Sequence, residues 1–275
     1  MLSSIGLTRV ATALVSSLAI IAFTASVAPP GARAAPADAP VQAAAPAPLE
    51  TDQEVQAALI RMSSYLSGLK SFELTADTTM ELVGPSGHQV ETTGHAHYWA
   101  QRPNKLRVDT ANGKLDRQYI FDGKMFTVVA PEEGYYASER TPPTIPEALS
   151  FAAQVLSVEL PLSDIFNWNA ENSPLKQFEF ATFVGTVKLG DVETDHYLLI
   201  GKDADLELWV EKGETPLPLK VSIVDRSVAG HPRFTARLSW KPDAQIAETI
   251  FTFTPTKEMK SISFRKNEEP GKGDK

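Results

Sequence analysis

Cysteine is absent from all 275 residues. That excludes a disulfide framework, thiolate chemistry and attachment of lipid to an N-terminal cysteine. Acidic residues are missing from the first 34 positions, whose only charged side chains are Arg9 and Arg33. Basic residues are in deficit overall, 26 Lys and Arg against 34 Asp and Glu, for a net charge of −8. Without residues 1–34 and their two arginines the balance deepens to about −10. Such a balance argues against nucleic acid as a partner and against adhesion to anionic lipid. No G-x-S-x-G elbow, Walker loop or dinucleotide-binding glycine run occurs.

What is present begins with an uncharged run from Val10 to Val27, rich in Ala, Val, Leu and Ile, followed by "PPGARAA". A basic start, an apolar middle and the small-x-small Ala32-Arg33-Ala34 form the pattern of a cleavable secretory signal peptide over residues 1–34. The alternative is an uncleaved anchor, since the run is close to bilayer-spanning length. Residues 35–50, opening "APADAPVQAAAPAPL", form an Ala/Pro tract that buries no core and reads as an extended linker. The domain then spans 51–265. Residues 266–275 have the charged, Gly-containing composition of a disordered tail. An exported protein without disulfides relies on a conventional, sizeable core.

Order begins at Thr51. "TDQE" reads as a capping box with the Thr51 hydroxyl and the Glu54 carboxylate closing a helix start. Val55, Leu59, Met62, Leu66 and Leu69 then recur at helical spacing. After Gly68 the period changes to 2. Phe72, Leu74, Ala76, Thr78, Met80 and Leu82 share one strand face, with Glu73, Asp77 and Glu81 on the other. "GPSG" turns the chain, and Asn112-Gly113 and Asp122-Gly123 supply the left-handed backbone of tight hairpins. "TIPE" (Thr144 to Glu147) starts a central helical insertion, predicted as two short helices hinged at Pro161. From Phe178 to Phe264 the alternation returns, and "ETIFTFT" and "SISF" are read as its last strands.

About eleven strands in an antiparallel meander, interrupted by helices, predict a mainly β protein with helices. The expected form is an unclosed half-barrel whose concave face the helices cover. A fully packed sandwich has the same periodicity and remains the alternative.

The stretch "FDGKMFTVVAPEEGYYA" (Phe121 to Ala137) concentrates acidic and aromatic side chains. Asp122 is nonetheless placed as a turn residue, and Glu132 and Glu133 at a solvated hairpin tip. Ser67-Gly68-Leu69-Lys70 fits the S-x-x-K spelling, but Ser67 sits at a helix C-terminus and no S-D-N or K-T-G follows. His95 and His97 project from one side of a strand, the geometry of a metal half-site. A third ligand would have to come from His88, Asp195, His196 or His231, and a plain strand surface is the competing reading. No nucleophile or acid with an orienting partner emerges, so no enzyme, metal site or cofactor is expected.

"RPNKLRVD" (Arg102 to Asp109), the Asp122-Gly123 hairpin leading to tyrosines, and "LELWVEKGETPLPLKV" (Leu206 to Val221) occur in that order. Together they resemble the periplasmic half-barrel superfamily of the outer-membrane lipoprotein carrier and receptor (LolA/LolB-like). With "LPLSDIFNW" and "HYLLIGKDADLELWVEKGETPLPLKV", the chain is most similar to a predicted periplasmic family of unknown function. The resemblance covers residues 52–264. It implies an unclosed antiparallel barrel round an apolar cavity that shelters acyl chains, and it sets Arg102 in the place of the carrier's functional arginine.

Candidate walls of such a cavity are Phe72, Leu74, Met80 and Leu82, with Leu106 and Val108 beside them. Phe126, Val128, Leu206, Leu208 and Val210 continue the set. For any single one of them, ordinary core is the competing reading and the favoured one. The function expected first is a non-enzymatic periplasmic binder of lipid or of an acylated protein, a carrier or chaperone. An envelope sensor or protein-interaction module with an envelope protein partner is the second reading. An unrecognised hydrolase resting on His95 and His97 is the third. Neither the oligomeric state nor the identity of the ligand is written in the sequence.

Overall fold

A computed structural model describes residues 51–265 apart from Lys114. The signal segment, the Ala/Pro linker and the tail read from the sequence lie outside the described residues. The first helix, α1 (Gln53–Gly68), begins where the capping signature places it, but the cap is Asp52. Its Oδ1 accepts from the Glu54 N–H at 2.8 Å. The Thr51 hydroxyl is taken by the sheet instead and accepts from the N–H of Ala181 at 2.9 Å. Val55, Leu59, Met62, Leu66 and Leu69 are all buried, so the helical stripe is the face α1 turns to the core.

Two antiparallel meanders follow. The first runs β1 (Ser71–Val83), β2 (Gln89–Gln101), β3 (Lys105–Ala111), β4 (Arg117–Phe121), β5 (Met125–Ala130) and β6 (Tyr135–Arg140). Asp122 makes the β4–β5 turn. Its Oδ1 accepts from the N–H groups of Lys124 and Met125, both at 2.8 Å, and Gly123 takes φ +95°. The second runs β7 (Phe180–Leu189), β8 (Val192–Ile200), β9 (Ala204–Glu211), β10 (Pro218–Asp225) and β11 (Arg233–Pro242). β11 pairs with β1 and joins the two meanders, while β12 (Lys260–Ser261) adds a short parallel contact to β6. The sheet is ordered β12-β6-β5-β4-β3-β2-β1-β11-β10-β9-β8-β7, and its two edges do not meet. It is an unclosed half-barrel.

Between the meanders lie α2 (Ile145–Val155) and 3₁₀ turns at Ser163–Phe166 and Pro174–Gln177. Thr144 caps α2, its hydroxyl bonding the Glu147 carboxylate at 2.6 Å, with Pro146 in the first turn. The second predicted helix beyond Pro161 is a single 3₁₀ turn, because Leu162 enters it from the left-handed region at φ +58°. These elements cover the concave face: the Phe166 ring lies 5.8 Å from Phe72 and 6.3 Å from Tyr98.

Two late strands are corrected. "ETIFTFT" forms a 3₁₀ turn at Glu248–Phe251 and unpaired chain, and of "SISF" only Ser261 lies in a strand, the two-residue β12. Residues 248–254 lie across the outer face of the first meander and not beside a sheet edge, so their alternation serves packing alone. Phe251 is fully buried, and Phe253 lies 5.1 Å from the Tyr136 ring against the outer face of the first meander.

Candidate functional site

Strand register decides which residues share the face that the helical insertion covers. Phe72, Leu74, Ala76, Thr78 and Met80 stand level with Ala100, Tyr98, Ala96, Gly94 and Thr92 of β2. The same side continues through Leu106 and Val108, then Tyr119 and Phe121, then Phe126 and Val128. Across β11 it passes through Phe234 and Ala236 to Val221 and Ile223 on β10, and to Leu206 and Leu208 on β9. One apolar surface therefore spans both meanders.

Most of that surface is closed. Phe72, Leu74, Leu106, Val108, Phe126, Leu206, Leu208 and Val210 belong to one packed core cluster. Met80 and Val128 differ. Both are half-buried and line a cleft of about 400 Å³ with Tyr119, Val158, Pro161 and Phe234. Leu82 is half-buried further along β1, outside the cleft lining. Thr78, Thr92 and Thr110 bring hydroxyls to the cleft, and Arg117 and Glu159 bring charge. Arg117 is held by Glu133 through two bonds of 3.0 and 2.8 Å, so Glu133 is paired although exposed. The cleft roof is the segment after α2, bracketed by left-handed Ser157 and Leu162.

Tyr98 was not among the candidates read from the sequence. It is fully buried, and its hydroxyl donates to the Pro161 carbonyl at 2.7 Å. Burial pushes its phenol well above the ordinary range. The available signal was the alternation of "HAHYWAQ", which sets Tyr98 opposite to His95, His97 and Trp99. Tyr119 and Phe234 were likewise missed, although each holds an alternate position on a strand.

The histidines lie on the convex side. His95 Nδ1 is 2.8 Å from Asp77, while His97 is 3.5 Å from Glu73 and stacks on Trp99 with ring centroids 3.6 Å apart. Desolvation holds the His97 imidazole below its usual pKa, against the pull of Glu73. His196 repeats the arrangement, bonded to Glu207 at 3.0 Å and stacked on Trp209 at 4.0 Å. Among the described residues no group of three or more His, Cys, Asp or Glu could hold a metal ion.

Arg102 stands elsewhere, at a second cleft of about 750 Å³ with Leu149, Ala153, Asp164, Phe166 and Trp168. Burial lowers the pKa of its guanidinium. Asp164 is pushed up to about 6, first by desolvation and further by the charge of Glu159, against hydrogen bonding from its own backbone.

A family model described as "Predicted periplasmic protein (DUF2092)" matches residues 55–265. The chain belongs to this family. Its match covers every strand of the half-barrel, and the description places DUF2092 proteins in the periplasm. No curated protein matches the chain. Solved structures similar to this DUF2092 chain include LprF from Mycobacterium bovis, at 13% identity and TM-score 0.43, over 72% of this chain and 97% of that one. Lipoprotein LppX from Mycobacterium tuberculosis aligns at 10% identity and TM-score 0.38, over 72% and 99%. A LolA superfamily protein from Nitrosomonas europaea aligns at 13% and 0.34, over 72% and 97%. All three scores lie below 0.5, so the unclosed sheet stands on its own strand pairing.

Proposed function

We propose that this chain is a non-enzymatic periplasmic binding protein that shelters an acyl chain of a lipid or of an acylated protein, as a carrier or chaperone. One observation carries the reading. Apolar Met80, Tyr119, Val128, Val158 and Phe234 wall an open space of about 400 Å³ on the concave face of a sheet that is otherwise packed shut. That volume is within the roughly 300–1,000 Å³ of small-molecule sites. Burial at roughly 0.8 kcal/mol per methylene supplies about 10 kcal/mol for one chain before ordering costs. The threonine hydroxyls and Arg117 suit the polar end of such a ligand. Export through a cleaved signal peptide over residues 1–34 is part of the same proposal.

Mass spectrometry of organic extracts from protein purified from the periplasm without detergent tests it. A recurring phospholipid or acylated peptide near one per chain supports the reading and names the substrate class. A lipid-free, folded protein overturns it in favour of an envelope sensor or interaction module. That second reading has its own observation: edge strand β7 exposes Phe183, Val184 and Val187.

A further inference from the structure

The second cleft holds hydrogen-bond donors that acyl-chain binding does not use. Arg102 Nε and Nη2 are shut off from solvent and have no hydrogen-bond partner among the described residues. These two nitrogens form the side-on edge of the guanidinium, whose parallel N–H bonds match two oxygens of a carboxylate or phosphate. Arg107 of this chain shows the filled version, its Nε and Nη2 donating to the two oxygens of Asp109 at 2.8 and 2.9 Å. On Arg102 the same edge has no partner. Trp168 lines the same cleft, is 1% exposed, and its Nε1–H is also without a partner.

Three buried donors without acceptors carry a large desolvation cost, the more so where the group is charged. The Phe166 ring, 5.9 Å from Arg102 Cζ, offers a cation–π contact but no lone pair. At the cleft lining, Lys176 and Glu171 offset each other in charge, and the remaining carboxyl, Asp164, is pushed up to about 6 by burial. The segment after α2 walls both clefts in turn, giving Val158 and Pro161 to the first and Asp164, Phe166 and Trp168 to the second.

We propose that the second cleft binds an oxyanion, a carboxylate or phosphate group, held side-on by the Arg102 fork with the Trp168 indole as third donor. The space of about 750 Å³ admits such a group once the end of the Arg102 side chain and the Trp168 indole, both shut off from solvent, turn to face it. The source is a free small oxyanion or an acidic lipid headgroup, which share this chemistry. The inference does not rest on acyl-chain binding in the first cleft.

The test is a titration of isotope-labelled protein purified from the periplasm, following the Trp168 indole and Arg102 Nε–H signals by NMR. Inorganic phosphate is one probe, dihexanoyl phosphatidylglycerol below its micelle concentration another, and a short-chain diacylglycerol the uncharged control. Saturable shifts of both signals are expected, with at least a tenfold loss of affinity in Arg102→Lys, which keeps the charge but not the fork. Trp168→Phe should lose about threefold. Saturation by phosphate identifies a free oxyanion; saturation by the phosphatidylglycerol alone identifies a headgroup. The proposal is overturned if neither probe shifts the wild-type signals saturably, if the diacylglycerol shifts them equally, or if a folded Arg102→Lys binds with unchanged affinity. Phosphate saturation in a protein that yields no extractable lipid would sink the acyl-chain reading while leaving this one intact.

Discussion

The Tyr98 hydroxyl donates to the Pro161 carbonyl at 2.7 Å, tying the middle of the concave sheet to the segment that roofs the first cleft. Strand β2 supplies the phenol, and the stretch between α2 and the following 3₁₀ turn supplies the acceptor. A wall made of helices and turns is thereby pinned to the sheet by a polar bond inside an apolar cluster.

Tyr98→Phe removes that donor and leaves the Pro161 carbonyl facing an apolar ring. The expected loss is about 1–3 kcal/mol, the cost of an unsatisfied buried acceptor. Urea unfolding should show a lower midpoint at unchanged slope. An unaltered midpoint would mean that water satisfies the carbonyl as well as the phenol does.

Stability should fall as pH rises through the range set by Asp164. Its carboxyl is pushed from 3.8 up to about 6 in the folded protein, so the folded state holds a proton that the unfolded chain has released. The stabilising contribution is full below about pH 4 and is lost by about pH 6, on the order of 3 kcal/mol. Asp164→Asn should flatten this part of the profile and be the more stable protein at pH 7. Thermal melts of both proteins from pH 3.5 to 7.5 check the sign.

Met80→Arg places a guanidinium in the first cleft. Met80 is half-buried, so the arginine head can reach water while its stem covers the strand, and the fold should survive. Binding of a dansylated fatty acid should weaken at least tenfold, since charge in the cleft opposes an acyl chain. Equal binding by the variant would move the acyl site elsewhere.

Thr51 and Asp52 should separate in their effects. Asp52→Ala removes the α1 cap and costs about 1 kcal/mol. Thr51→Ala frees the Ala181 N–H on edge strand β7 and should raise hydrogen exchange at that amide, while Asp52→Ala leaves it protected. Equal exchange in both variants would contradict this division of labour.

Much of this architecture is legible in the sequence because burial there is periodic and local. The stripe from Val55 to Leu69, the alternation from Phe72 to Leu82, and the Asp122-Gly123 turn each state their structure within a few residues. The missing cysteines and the charge deficit narrowed the function classes in the same way. Other features needed the assembled sheet. Alternation marks two strand faces but not their curvature, so it could not separate Met80 and Val128 at an open cleft from Phe126 and Leu208 in packed core. "ETIFTFT" alternates like a strand, yet a strand also needs a neighbouring edge, and this segment lies across a face of the sheet instead. The Thr51 cap was lost to an amide 130 residues away. Arg102 and Trp168 meet at one cleft only because the helical insertion folds back over the sheet. Periodicity records whether a residue is buried; curvature, edge occupancy and long-range pairing record against what, and those exist only once distant segments have met.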